Sequence, residues 1–312
     1  MSNSYRNDSV TRRSWLAGVS LIGLGGLSDG VDAPKPAAPD EVAEAAFRQA
    51  KRVGLRDFRT SESEHYLGIG DATDDFRKSA VDLCEKLASS YQSHFRANGF
   101  ETTLPKAQMT VVILANRGSY AKFNEEPVDP SAAGHYDPER DLLVTFDAGP
   151  GRNRSSAARI TNTFTLVHEA IHQLSFGTGL LDRNGDVPLA VSEGLATYCE
   201  TWQLSHPVIG EVNRPRLAVL AAPGAKWLPL SRLLTEDGLF HDTATVQSAY
   251  AECWLLIHSL MTSPAARRTL RSYLDTIRQR KSPSKRIQDA ESALGRLDQL
   301  DGTLRENVQK LL

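Results

Sequence analysis

The sequence predicts an α+β fold, and three observations carry that reading. Two β-branched runs, Thr110 to Leu114 and Leu142 to Phe146, read as buried strands. A helical pattern follows them in which Ile160, Phe164, Val167, Ile171 and Leu174 step by 4, 3, 4 and 3 residues, one apolar stripe facing a core. Further helical patterns fill most of the chain after it. Strands first and helices afterwards point to α+β rather than to an alternating α/β sheet.

Composition fits a globular protein with a substantial core. Of 312 residues, 40% are hydrophobic and 24% charged, with a net charge of -2. Lys and Arg are dispersed and form no basic face, so no nucleic-acid partner is expected. Cys84, Cys199 and Cys253 are too few and too odd in number for a disulfide framework, and each sits in an apolar-periodic segment as a small hydrophobe would.

In chain order, residues 1–33 stand apart. Arg12-Arg13 precede the moderately apolar, Gly-rich stretch Trp15 to Leu27, and Val31-Asp32-Ala33 offers a small-residue cleavage site. The pattern resembles a twin-arginine export signal, which implies delivery to the periplasm or cell envelope. A buried N-terminal helix or an uncleaved anchor is the alternative, and membrane contact is expected only through an uncleaved signal. Residues 34–60 read as a linker and N-terminal extension, with weak helical spacing from Glu41 to Val53. The main domain is expected over 61–312. His65 to Gly70 alternates like a short strand. Phe76, Ala80, Leu83, Leu87, Tyr91 and Phe95 mark a long amphipathic helix closed by Asn98-Gly99. Gly134-His135-Tyr136 leads through a turn at Asp137-Pro138 into the second strong strand. After the Ile160–Leu174 stripe, Gly177 and Gly179 end the helix. Further helices are expected at Leu189–Trp202, Val246–Met261, Pro264–Arg278, Ile287–Leu297 and Leu304–Leu312.

The chemistry lies on the clear helix. His168-Glu169-Ala170-Ile171-His172 puts two imidazoles at i and i+4, on one face, where both can reach one metal ion. Glu169 stands between them, able to touch a metal-activated water without ligating the metal. A catalytic zinc takes three protein ligands and keeps one position open. The third candidate is Glu193 in Ser192-Glu193-Gly194-Leu195-Ala196, 21 residues after His172 on the next helix. Two antiparallel helices joined by a loop can bring it beside the histidines.

HEAIH followed by SEGLA resembles the gluzincin zinc metallopeptidases of the peptidase MA-like superfamily. His172-Gln173-Leu174, Gly179-Leu180, Pro188-Leu189 and Glu193 to Tyr198 are also similar to an exported bacterial domain family of unassigned function. The likeness spans roughly residues 60 to 310 and rests on the two metal motifs. It implies a zincin-like fold, a small mixed sheet packed on the HExxH helix with a mainly helical C-terminal part. It also implies one zinc per chain on His168, His172 and Glu193, and a peptide or protein substrate.

The expected reaction is amide hydrolysis by metal-activated water, with Glu169 as general base. Tyr250, Tyr198 and His241 are candidates to stabilise the oxyanion. Tyr250 ranks first, since related gluzincins carry a tyrosine at the corresponding point, although it also falls on an apolar stripe. Tyr198 is five residues past Glu193 and points away from the metal face. Glu200 returns to the Glu193 face and is either a partner for a ligand histidine or a solvated charge. Thr161 and Thr165 share the histidine face with the same ambiguity. Asp182 to Asp186 follows the opening pattern of a calcium loop, but Pro188 interrupts it and a polar turn is expected. Two other functions fit the sequence: a non-catalytic envelope-binding module with a retained zinc site, and a zinc amidase acting on peptidoglycan peptides.

Overall fold

The computed structural model of the protein describes residues 39–125, 132–149 and 156–312, and the side chains of these except 39–40 and 156–162. The expected export signal, Ile160 and Thr161 fall outside the described residues or side chains. The elements run α1 (Pro39–Arg52), β1 (Arg59–Glu62), β2 (Tyr66–Gly70), α2 (Asp74–Ala97), β3 (Met109–Leu114), α3 (Arg117–Asn124), β4 (Gly134–Asp137), β5 (Leu142–Phe146), α4 (Ser156–Gly177) and α5 (Leu189–Cys199). There follow α6 (Arg214–Leu220), α7 (Leu230–Leu233), a 3-10 turn Asp237–Phe240, α8 (Val246–Met261), α9 (Pro264–Gln279), a 3-10 turn Pro283–Lys285, α10 (Arg286–Leu294) and α11 (Leu297–Leu311). The α+β class is as the sequence predicts.

The five strands form one mixed sheet in the order β1-β2-β3-β5-β4. The inner strands β2, β3 and β5 are parallel, and the edges β1 and β4 are antiparallel to their neighbours. Because successive side chains point to opposite faces, β3 serves two cores. Val111 and Ile113 join Leu143 and Tyr136 under α2 and α4, while Val112 and Leu114 join Val144 and Phe146 on the far face. Burial on both sides explains why β3 and β5 are unbroken apolar runs without alternation.

The far face takes in part of the 34–60 segment, where the weak helical spacing falls on a helix. Residues 39–52 are helix α1, whose Val42, Ala46 and Ala50 bury against Ile69, Val112 and Leu114. This stripe is built largely of alanine, which carries little hydrophobic signal yet lets a helix approach a sheet closely. Helix α3, which the sequence pattern does not show, adds Tyr120 and Phe123 to the same layer, and Asn116 caps its start by accepting from the amides of Gly118 and Ser119. At the end of α2, Gly99 takes a φ of +82°, the left-handed conformation that closes a helix.

Helix α5 lies between α4 and α8. All of its residues are buried, and most of α8 is too, including Tyr250, Glu252, Cys253, Trp254 and Ile257. The close approach of α5 to α8 depends on Gly194: a Cβ there would stand 2.8 Å from the Cys253 carbonyl oxygen and 2.7 Å from Ile257 Cγ1. The three cysteines are free and buried, as expected of small hydrophobes.

A buried ionic cluster fixes the loop between α4 and α5. Asp186 receives Arg280 Nε at 3.0 Å and Arg286 at 2.8 and 2.5 Å, and Arg286 also reaches Asp237 at 2.9 Å. Asp237 in turn accepts the Leu189 amide at 3.0 Å, at the start of α5. Asp182 closes a polar turn on Asn184, and with Asp186 engaged by two guanidinium groups the loop is no calcium site. Among the described residues no helix is long and apolar enough to cross a membrane.

Candidate metal centre

Helix α4 sets His168 and His172 one turn apart with their rings 5.0 Å apart and nearly perpendicular. Helix α5 brings Glu193 across to them. Glu193 Oε2 lies 3.1 Å from His168 Nε2 and 3.5 Å from His172 Nε2, and the two Nε2 atoms are 3.3 Å from each other. All three residues are buried, and together they could hold a metal ion. Their other ring atoms are tied down. His172 Nδ1 is 2.9 Å from Ser192 Oγ, and His168 Nδ1 is 3.2 Å from Glu200 Oε2. These outer partners fix each ring so that Nε2 faces the shared point.

Glu200 is a buried partner of His168, not a solvated charge. Arg216 grips it through Nε at 3.0 Å and a terminal nitrogen at 3.3 Å, and Asn213 Nδ2 donates to it at 2.6 Å. Asn213 also caps α6 by accepting the Arg216 amide at 3.3 Å. The Asn-Arg-Pro opening of α6 is a helix-start signal visible in the sequence, but nothing local links it to a site 16 residues back.

Three buried carboxylates, Glu169, Glu193 and Glu200, gather at the two histidines, and Arg216 pairs with Glu200, which leaves Glu169 and Glu193 without a guanidinium partner among the described residues. The titration directions reflect that demand. Burial disfavours a charged His168, but Glu193 and Glu200 outweigh it and push its pKa up to about 10. Burial also opposes ionisation of Glu193, yet His172 and His168 hold it well below the ordinary carboxylate range. Against the same burial, Arg216 and then His168 hold Glu200 down at about 2. A divalent cation suits this imbalance, and two imidazoles with a carboxylate are a donor set that binds one.

Glu169 is fully buried, and neither carboxylate oxygen has a hydrogen-bond partner. Thr165, one turn earlier on α4, is buried with an unpartnered hydroxyl. It packs beneath Gly134, where a Cβ would come within 3.1 Å of Thr165 Cγ2, so Gly134 admits the edge strand β4 close to α4. The charge of Glu169 also reaches Tyr120 and His135, which are hydrogen-bonded to each other at 2.6 Å. The sequence reading singled out neither for this place.

Of the three oxyanion candidates, the structure brings one to the site. The Tyr250 ring lies 6.3 Å from that of His168, with the Arg216 guanidinium carbon 5.1 Å over its face and Phe240 edge-on at 5.3 Å. Tyr198 turns away and places its hydroxyl 3.1 Å from His94 Nε2. His241 is exposed.

The fold and site thus define an α+β protein whose buried His168, His172 and Glu193 could hold a metal ion. Residues 162–283, from within α4 to the end of α9 and the turn beyond, match a family described as a protein of unknown function (DUF1570). No curated protein matches the chain.

Proposed function

We propose that this protein is a zinc-dependent hydrolase of gluzincin type, and of that class a peptidase. One observation carries the reading: three buried ligand atoms converge at 3.1 to 3.5 Å, and beside them sits a buried carboxylate, Glu169, with no partner of its own. Ligands about 2.0–2.1 Å from a tetrahedral zinc lie about 3.3–3.4 Å from one another, which suits these spacings. A metal site with only a structural task has no use for Glu169, and leaving that carboxylate buried and unpaired is costly.

Zinc bound here would supply Lewis acidity and acidify a water. His168, His172 and Glu193 would hold it, while Ser192 and Glu200 keep the imidazoles turned inward. Glu169 accepts the proton of the water and returns it to the leaving amine. Tyr250 is the donor to the oxyanion, a contribution worth roughly 3 kcal/mol in comparable sites. The zincin-like fold and export through residues 1–33 belong to the same proposal.

The test is metal analysis with cleavage of a peptide library and of purified sacculi. Wild type is expected to carry about one zinc per chain, and His168→Ala to lose it. Glu169→Gln is expected to keep zinc and lose hydrolysis, and cleavage that survives this substitution rules the mechanism out. A second reading, an envelope-binding module with a retained metal site, draws on the burial of every site group, from Glu169 at 0% to His168 at 4% exposed. Zinc-loaded protein inert towards peptides, proteins and sacculi would favour it.

A further inference from the structure

We propose that Arg216 is a positioning residue that serves the metal ligand His168 and the tyrosine Tyr250 at once. The proposal rests on the metal-site reading above and adds to it a residue outside both metal motifs. Arg216 lies on α6, a helix of seven residues, and is 7% exposed. Its guanidinium faces two ways. Two of its nitrogens take both oxygens of Glu200, at 3.0 and 3.3 Å. Its central carbon also stands over the Tyr250 ring, 5.1 Å from the ring centre.

Each contact has a mechanical result. Glu200 offers His168 Nδ1 a single oxygen, Oε2, at 3.2 Å. A carboxylate held at one point can swing, whereas one held at both oxygens by a planar fork cannot. Asn213 Nδ2 on Oε1 completes the clamp. The orientation of the His168 ring therefore derives from α6. The cation over the Tyr250 face restrains the ring against rotation from one side, while Phe240 closes the other contact edge-on at 5.3 Å. One guanidinium thus sets the relative placement of a ligand on α4 and a hydroxyl-bearing ring on α8. A lysine could supply the charge but neither the fork nor the plane.

The experiment measures zinc affinity by competition with a chromophoric chelator, on wild type, Arg216→Lys and Arg216→Gln. Removing the guanidinium leaves Glu200 buried without its arginine partner, so Arg216→Gln can fail to fold. The double variant Glu200→Gln/Arg216→Gln removes both charges together and carries the test in that case. We expect the Gln variants to bind zinc roughly 10- to 100-fold more weakly, with Arg216→Lys in between. The cobalt-substituted proteins should show a displaced d–d absorption band, and kcat should fall with KM little changed. A merely structural arginine would lower thermal stability and leave affinity and spectrum alone. Zinc binding within twofold of wild type in both Arg216→Lys and the double variant overturns the proposal. Wild type that binds zinc but cleaves nothing overturns the peptidase reading and leaves this one to be judged on affinity. Wild type that takes up no zinc overturns both.

Discussion

Gly194→Ala tests whether the metal site depends on the closeness of two helices. An added Cβ would meet the Cys253 carbonyl oxygen at 2.8 Å and Ile257 Cγ1 at 2.7 Å. The isoleucine can rotate, but the carbonyl is part of α8 and cannot. Ordinary contact would require α5 to withdraw by roughly 0.5 Å or more, and overpacking of this kind costs about 1–3 kcal/mol. The gain in helix propensity from Gly to Ala, about 1 kcal/mol, offsets part of it. Gly302→Ala on α11 is the control, since a Cβ there meets nothing within 4 Å and only the propensity gain remains. The two variants should thus differ by about 1–3 kcal/mol, a gap of roughly 2 to 12 °C in Tm at about 2–4 °C per kcal/mol. Because Glu193 precedes the glycine, the shift should also weaken zinc binding roughly tenfold in Gly194→Ala alone. Calorimetry and chelator competition on the same samples measure both. A Gly194→Ala protein as stable as the control and as tight for zinc would refute the reasoning.

Other outcomes follow from buried charge. Glu252 on α8 is buried with Asp301 nearby, and burial foremost pushes its pKa from 4.5 up to about 8, against the Leu228 amide it accepts at 2.8 Å. The folded chain then binds more protons than the unfolded one between those values, so stability should fall as pH rises from about 4.5 to about 8 and level off beyond. Glu252→Gln keeps an acceptor for Leu228 and should flatten that slope in denaturant titrations. Arg286→Met strands Asp237 and leaves Asp186 with Arg280 alone, and loss of one partner from such a buried pair should cost about 3–5 kcal/mol in urea unfolding. Glu193→Gln should abolish tight zinc binding while raising metal-free stability little or not at all, because the protonated His168 would lose its nearest carboxylate; isothermal titration and thermal melts without metal would check the two halves.

The legible parts of this protein were those whose signal is local. Helix α8 runs from Val246 to Met261 as its apolar pattern predicts, and β3 and β5 match their β-branched runs to within a residue. His168 and His172 could be paired from spacing alone, since i and i+4 on a helix are neighbours wherever that helix sits. Glu193 needed one further step, a helical hairpin. Arg216 and Asn213 were not legible, because their task is defined by a carboxylate on another helix, and α6 is too short to show a period. Arg280 and Arg286 read as ordinary charges on an amphipathic surface until Asp186 is seen between them. Helix α1 showed only weak spacing, because its buried stripe is largely alanine. The three residues of the candidate metal group were thus readable, while the groups that orient them were not.

The clamp on Asp186 has a consequence for how the chain is made. Its arginines lie 94 and 100 residues downstream, while the histidines stand well upstream of the loop they secure. On a ribosome the histidines emerge long before the anchor that settles the start of α5 and, with it, Glu193. On the proposed metal reading, tight capture would therefore come late, when α9 and α10 are in place, and a nascent or C-terminally clipped chain would present two histidines without a finished cage.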